Sequence, residues 1–226
     1  MGSWSTTIPG CGATGGGGPG ANRTACACRA AIKGQVVEAA ESLNGVAVID
    51  EDLLDEVTAL VEWPVAIIGD FDPEYLKVPH EALILTMKKN QKYFPVFDNN
   101  KKLLNHFITI ANIDSSNPET IQKGNERVIR PRLADAKFFW EQDAKQTLEA
   151  RLEHLKAIVF QKQLGSIYDK SLRVSKLASH ISNLIGGNPD LAERAGLLSR
   201  CDLVTEMVYE FADMQGIMGR YQAQRD

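Results

Sequence analysis

Three arginines in one short stretch are the residues whose type and spacing most clearly suggest chemistry. Arg127, Arg130 and Arg132 lie in GNERVIRPRLADAKFFW, which covers residues 124 to 140. Each guanidinium is planar, permanently charged and able to donate two parallel hydrogen bonds to a phosphate or carboxylate group. The stretch therefore predicts an anion-binding surface, and the phosphates of a nucleic-acid backbone are one such anion.

A structural interpretation of the same stretch is also open. Glu126 precedes Arg130 by four residues, and Arg132 precedes Asp135 by three. These are the spacings at which side chains meet on one helix, so the arginines can instead form an internal salt-bridge network. The sequence does not decide between the phosphate site and the network.

Lysines form a second basic group, made of Lys88, Lys89 and Lys92. They are either a solvated face or salt-sensitive contacts to nucleic-acid phosphates.

Charge is segregated along the chain: residues 35–75 hold eleven acids and no Lys or Arg, whereas residues 77–176 hold eighteen Lys and Arg against eleven acids. This pattern indicates a polyanion or an oppositely charged partner, or two solvated faces of one fold. The formal net charge of −4 differs from that of most free-standing nucleic-acid-binding domains.

No recognisable catalytic constellation occurs in the sequence. The four histidines are scattered, and none lies in a nucleophile-elbow, HExxH or P-loop context. His180 and Asp202 resemble part of a helical phosphohydrolase metal site, but Ile181 follows His180, so the adjacent His-Asp pair is absent. Cys11, Cys26 and Cys28 lack a second pair for zinc. We therefore predict no catalytic, cofactor-binding or metal-binding residue in this chain.

The periodicity of apolar residues predicts a mixed first half. Helical spacing alternates there with short β-rich runs, and an Asp-Asn-Asn turn separates two strands of an apparent hairpin. The predicted elements are a helix from Gly34 to Asn44, a strand Val46–Ile49, an acid-capped helix from Asp50, a strand Val65–Ile68, a helix from Pro79, and the strands Tyr93–Phe97 and Leu103–Ile113.

From Pro118 onward, every apolar pattern has a period near 3.6, which predicts helices and no further strand. We expect separate helices over residues 118–129 and 131–143, and a long helix over residues 148–164. Phe138, Phe139 and Trp140 are predicted to be core, because three consecutive aromatic residues cannot all face one way on a helix. The predicted class is α+β, a mixed α/β N-terminal module followed by an all-α region.

Composition suggests four segments. Residues 1–34, with their GGGGPG run, are predicted to be a disordered leader. Residues 35–117 form the mixed module, residues 118–159 are connecting helices, and residues 160–226 are a helical domain. The sequence has neither an apolar run long enough for a membrane span nor a signal peptide, which predicts a cytoplasmic protein without a membrane partner.

Several long segments resemble the β subunit of the bacterial heterotetrameric glycyl-tRNA synthetase. The similarity extends from about Gln35 to the end of the chain, and the leader does not share it. The segments are KKNQKYFPVFD (Lys88 to Asp98), ITIANI (Ile108 to Ile113), GNERVIRPRLADAKFFWEQD (Gly124 to Asp143), FQKQLGS (Phe160 to Ser166) and AGLLSRCDLVTEMVYEFADMQGIMGRYQA (Ala195 to Ala223).

This resemblance implies a central fragment of one subunit of an α2β2 ligase, which joins glycine to its tRNA using ATP and Mg²⁺ held by the α subunit. The β subunit of the family supplies most of the tRNA binding. It contains an HD-like helical domain, implied here for residues 160–223, without the phosphohydrolase metal set. The expected partners are the α subunit and tRNA(Gly), and the candidate phosphate contacts are Arg127, Arg130, Arg132, Lys88, Lys89 and Lys92.

On this basis we expect the chain to contribute tRNA binding and subunit assembly, and to be inactive alone. Two alternatives remain at this point. One is an HD-type metal-dependent phosphohydrolase, and the other is an inactive fragment that retains only the fold.

Overall fold

The computed structural model describes residues 25–226, and these residues form two compact units. The first unit contains residues 25–73 and Met87–Ile129, and the second contains Glu74–Thr86 and Arg130–Asp226. Most of the predicted leader, residues 1–24, lies outside the described residues. The last part of that predicted leader is helical, because the first helix already begins at Ala25.

An antiparallel four-stranded sheet and two helices make up the core of the first unit. The sheet order is β1-β3-β4-β2, and its apolar face packs against residues such as Ile32, Val36 and Leu54 of the two helices. The elements are α1 (Ala25–Ser42), β1 (Val46–Ala47), α2 (Glu51–Leu60), β2 (Val65–Asp70), β3 (Phe94–Phe97) and β4 (Leu103–Ala111).

The predicted hairpin is confirmed as β3 and β4, with Phe94 opposite Ile108 and Phe97 opposite Leu103. Its turn is built by Asp98, whose carboxylate accepts hydrogen bonds from the amides of Asn100 and Lys102 at 2.8 Å. A side chain that binds its own backbone two residues later is the usual reason for Asp in a turn.

The second unit is largely helical and contains a smaller hairpin. Its elements are α3 (His80–Leu85), the second part of α4 (Pro118–Asp143), a 3₁₀ segment (Glu149–Ala157), β5 (Val159–Gln161), β6 (Gly165–Ser166), α5 (Ile167–Leu184), α6 (Pro189–Leu198), α7 (Glu206–Glu210) and α8 (Ile217–Arg225). A π-helical turn follows α3 at Thr86–Asn90. The α+β class, with a largely helical C-terminal part, is confirmed.

Two predictions about this part of the chain are wrong. Residues 118–143 form one helix, although Pro131 lies inside it and cannot donate a hydrogen bond to the carbonyl of Arg127. The expected long helix over residues 148–164 is replaced by a 3₁₀ segment and the β5–β6 hairpin. Gly165 has a φ of +85°, which closes the hairpin turn before Ser166 caps α5.

The predicted boundaries at residues 117 and 159 and the HD-like label stay predictions. Among the described residues, no helix is both long and apolar enough to cross a membrane.

Candidate nucleic-acid interface

Arg127, Arg130 and Arg132 lie in the middle of α4, and all three are exposed. The helix presents its other face to the interior through Ile129, Leu133 and Ala136, which are fully buried. Because consecutive residues of a helix are separated by about 100°, the buried positions leave the arginine positions on the solvent side.

Helix geometry groups two of the arginines and separates the third. Arg127 and Arg130 are three residues apart, so they are neighbours on the helix surface. Arg132 follows Arg130 by two residues, a spacing at which side chains do not face each other. Arg127 and Arg130 therefore lie on one side of α4, and Arg132 lies on another.

The salt-bridge interpretation of this stretch is wrong for the residues that the structure describes. The Glu126 carboxylate accepts hydrogen bonds from Gln122 Nε2 at 2.8 Å and from the Asp70 amide at 3.1 Å, and Arg130 is not among its partners. None of the three arginines forms an ion pair or hydrogen bond to a side chain within residues 27–226. Their donors are available to an external anion.

An aromatic side chain shares the exposed side of α4. Phe138 is 55% exposed, so the prediction that it is core is wrong. Phe139 is half-buried and contacts Phe138 edge to face at 5.8 Å between ring centroids.

The lysine group has a different environment, because two of its members are paired. Lys88 Nζ lies 2.9 Å from Asp50 Oδ2, and Lys92 Nζ lies 2.7 Å from Glu56 Oε1. Lys89 is exposed. The acidic partners belong to the start and middle of α2, so the segregated charges of the sequence meet within the first unit.

Asp50 has two roles in this arrangement. Its carboxylate caps α2 by accepting hydrogen bonds from the amides of Asp52 and Leu53, which confirms the predicted acid-capped helix. The hydrogen bond from Lys88 is the main reason that the pKa of Asp50 is lowered from its ordinary value, and the bond from the Leu53 amide adds to it.

Sequence reasoning missed two more cations that bind α2. Arg29 pairs with Glu51 and, through Nε, with Asp55 Oδ1 at 2.5 Å, and Lys33 Nζ lies 3.1 Å from Glu51 Oε1. Both cations lie within residues 1–34, the predicted leader. Because that segment begins with a Gly-rich run, the sequence did not indicate that α1 starts inside it. The helical periodicity of Ile32, Val36 and Ala40, all buried, was the available signal.

The residues of the alternative metal site are used differently. His180 is exposed on α5, and the Asp202 carboxylate is buried and accepts hydrogen bonds from the amides of Gly216 and Gly219 at 2.5 and 3.2 Å. The described part of the chain contains no group of three or more His, Cys, Asp and Glu residues arranged to hold a metal ion. Burial raises the pKa of the neighbouring Cys201 thiol to about 11.

Comparison with known proteins places this sequence among the aminoacyl-tRNA synthetases. The family model described as glycyl-tRNA synthetase beta subunit matches residues 25–226. Similar proteins include the glycine–tRNA ligase beta subunits of Pseudoalteromonas translucida (strain TAC 125), 56% identical over 198 residues, and Hahella chejuensis (strain KCTC 2396), 57% identical over 198 residues. Each alignment covers 88% of this chain and 29% of the relative.

The chain therefore belongs to the glycyl-tRNA synthetase beta subunit family. It spans about 29% of the length of these curated relatives. The match begins at residue 25, within the segment that was predicted to be an unrelated leader. The start of the match coincides with the start of α1.

Proposed function

We propose that this chain is part of a glycyl-tRNA synthetase beta subunit and contributes tRNA binding and subunit assembly to the ATP-dependent attachment of glycine to tRNA(Gly). The α subunit, whose existence the relatives' names imply, would bind ATP and Mg²⁺. The enzyme would be a cytoplasmic heterotetramer. The chain has no identified catalytic residue, so we expect it to form no glycyl-tRNA alone.

The observation that carries the tRNA-binding part is the contrast between the two basic groups. Arg127 and Arg130 are exposed, adjacent on α4 and without a carboxylate partner in the described residues. Lys88 and Lys92 are half-buried and paired with acids of α2. Exposed guanidinium groups without partners can bind phosphate without first breaking an internal ion pair.

This contrast divides five of the six candidate contacts, all except Lys89. Arg127 and Arg130 form the proposed phosphate site, and Arg132 contributes a separate contact from another side of α4. Lys88 and Lys92 stabilise the first unit by holding α2. The exposed Phe138 is available to stack on an unpaired base, which is how many RNA-binding surfaces use exposed aromatic residues.

The salt dependence of tRNA(Gly) binding tests this division. Each phosphate contact releases counterions, so the slope of log Kd against log salt reports the number of contacts. We expect Arg127→Gln and Arg130→Gln each to reduce that slope by about one and to leave the melting temperature unchanged. Lys88→Gln and Lys92→Gln should lower the melting temperature and leave the slope unchanged.

Arg200→Gln is the matched control, because Arg200 is an exposed arginine of the second unit that lies outside α4. The control should change neither quantity. Equal slopes for the wild-type chain and the Arg127→Gln and Arg130→Gln variants would refute the phosphate site. A lower melting temperature in those two variants would support a structural role for the arginines.

No observation favours the HD-type phosphohydrolase. Asp202 already binds two backbone amides, and the exposed His180 lacks the adjacent Asp of such sites.

A further inference from the structure

Helix α5 is amphipathic in the opposite sense from most surface helices. Its fully or largely buried residues are the serines Ser171, Ser175 and Ser182. Its exposed residues include a stripe of four large apolar side chains, which we call the α5 seam. The seam consists of Val174, Leu177, Ile181 and Leu184, with exposed fractions of 39%, 58%, 48% and 71%. A surface helix normally buries such a stripe.

The close packing of α5 on α6 explains why the serines are buried. A Cβ atom added to Gly196 of α6 would lie 2.9 Å from Ser175 Cα, so the two backbones approach too closely for large side chains. Ser175 Oγ also donates a hydrogen bond to the Glu193 carbonyl oxygen at 2.9 Å. Because α6 packs against the serine face of α5, the α5 seam is left without a partner among the described residues.

The spacing of the seam identifies the shape of its partner. Val174, Leu177, Ile181 and Leu184 follow one another at intervals of three, four and three residues, which are the a and d positions of a heptad pattern. The a positions carry β-branched residues and the d positions carry leucine, the combination that favours pairing of two helices. The partner of such a seam is another α-helix.

Charge next to the seam indicates the chemistry of that helix. Arg173 is a permanently charged, exposed residue that immediately precedes Val174, so it occupies a g position of the heptad pattern. At the N-terminal end, Lys170 lies one turn before Val174 and covers the Phe160 ring at 4.0 Å. Residues at e and g positions select partners of opposite charge, so the seam fits a helix with acidic flanking residues.

A second copy of this chain does not supply that charge. In an antiparallel pair, g positions face g positions, so Arg173 would meet Arg173 or His180 of the copy and no carboxylate. In a parallel pair, Arg173 would face Ala178 at an e position. The curated relatives contain more than twice as much polypeptide outside the matched region as within it. A helix in the same polypeptide has a high effective concentration, which favours it over a separate subunit.

We propose that the α5 seam docks an acidic amphipathic α-helix of the beta subunit that lies outside the region matched by this chain. The proposal rests on membership of the family and is independent of the tRNA site. It assigns the exposed apolar residues of α5 to the internal packing of the full subunit.

Photo-crosslinking in a full-length subunit tests the proposal. This chain would replace the region that it matches in the Hahella chejuensis beta subunit, with p-benzoylphenylalanine incorporated in place of Leu177. Asn183 is the matched control position, because it is exposed on another side of the same helix. We expect position 177 to crosslink within the same chain to a segment with apolar residues at three- and four-residue spacing and acidic flanks. We expect at least a fivefold lower yield at position 183.

Charge and stability provide two further readouts. Arg173→Glu should reduce the crosslinking yield at position 177 several-fold, whereas Arg173→Lys should preserve it.

The double variant Leu177→Gln and Ile181→Gln should lower the melting temperature of the full-length chimera and leave that of the 226-residue chain unchanged. Crosslinks to a second beta subunit or to an α subunit, or equal yields at positions 177 and 183, would overturn the proposal. Loss of tRNA binding without loss of crosslinking would affect only the proposed function.

Discussion

Arg151 donates a hydrogen bond through Nη2 to Asp143 Oδ1 at 3.1 Å, and both side chains are buried. The same nitrogen donates to the main-chain carbonyl of Asp143, and Nη1 donates to the carbonyl of Val204. The Asp143 carboxylate in turn accepts hydrogen bonds from the amides of Glu206 and Met207 at the start of α7. One buried ion pair therefore joins the end of α4 to two later segments of the second unit.

Removing one partner of this pair should strongly destabilise the second unit. Asp143→Ala leaves a buried guanidinium without its carboxylate and the α7 amides without an acceptor, so we expect a loss of about 3–5 kcal/mol in the free energy of unfolding. Urea denaturation monitored by circular dichroism measures this loss in the free energy of unfolding. Glu153→Gln removes the carboxylate of the exposed Lys156 pair and should have no measurable effect. Comparable midpoints for wild type and Asp143→Ala would contradict the role of this pair.

The two functions of Asp50 can be separated by substitution. Asp50→Ala removes both the cap of α2 and the Lys88 pair, and we expect it to reduce the free energy of unfolding by about 1–2 kcal/mol. Asp50→Asn keeps an oxygen acceptor for the Leu53 amide and loses only the charge, so its effect should be smaller. Thermal unfolding of both variants at pH 7 measures the difference.

The pH dependence of the same pair has a defined sign. Because the pKa of Asp50 is lowered in the folded chain, its stabilising effect is present above its ordinary pKa and is lost as the pH falls through the lowered value. The difference in melting temperature between wild type and Asp50→Asn should therefore shrink as the pH falls below 4. Equal melting temperatures of wild type and Asp50→Asn at pH 7 would show that the charge of Asp50 contributes nothing.

Tyr93 should ionise at a higher pH than an ordinary tyrosine. Burial raises its pKa to about 12, its ring stacks on Phe107 at 4.5 Å, and its hydroxyl donates to Asn125 Oδ1 at 2.7 Å. The unfolded chain loses this proton near pH 10, so the folded state should lose stability between pH 10 and pH 12. Absorbance titration at 295 nm of wild type and Tyr93→Phe measures the ionisation. A midpoint near 10 for Tyr93 would contradict its burial.

Two glycine substitutions should have opposite effects. Gly196→Ala places a Cβ atom 2.9 Å from Ser175 Cα and forces α5 and α6 apart, which we expect to cost about 1–3 kcal/mol. Gly124→Ala places a Cβ atom in open space inside α4 and should stabilise the chain by about 0.5–1 kcal/mol. Denaturant unfolding of the two variants compares them. If both alanine variants were more stable than wild type, the α5–α6 contact would accommodate the added Cβ atom without a loss in the free energy of unfolding.

Local signals made parts of the fold predictable. The β3–β4 hairpin followed from two apolar runs around a turn that begins with Asp98, and the start of α2 followed from its capping acid Asp50. Both features depend on interactions between residues only a few positions apart, as the bonds of Asp98 to Asn100 and Lys102 show. Periodicity and capping rules describe interactions of this range.

Features that depend on distant residues were not predictable. Lys88 and Asp50 are separated by 38 positions, so no spacing rule links them. The β5–β6 hairpin has only five strand residues, too few to interrupt the helical pattern around it. On α5, the period of 3.6 predicted a helix, but only the close approach of Gly196 shows that the serine face is the buried one.

The ion pairs of α2 have a consequence for association kinetics. An acid paired with a cation a few ångströms away acts on distant charges as a dipole, whose potential falls off with distance more steeply than that of a single charge. Asp50 with Lys88, and Glu56 with Lys92, therefore repel an approaching polyanion only at short range, and salt screening shortens that range further. The guanidinium groups of Arg127 and Arg130 keep their longer-range attraction, so this acidic chain can still steer an incoming polyanion by its unpaired charges.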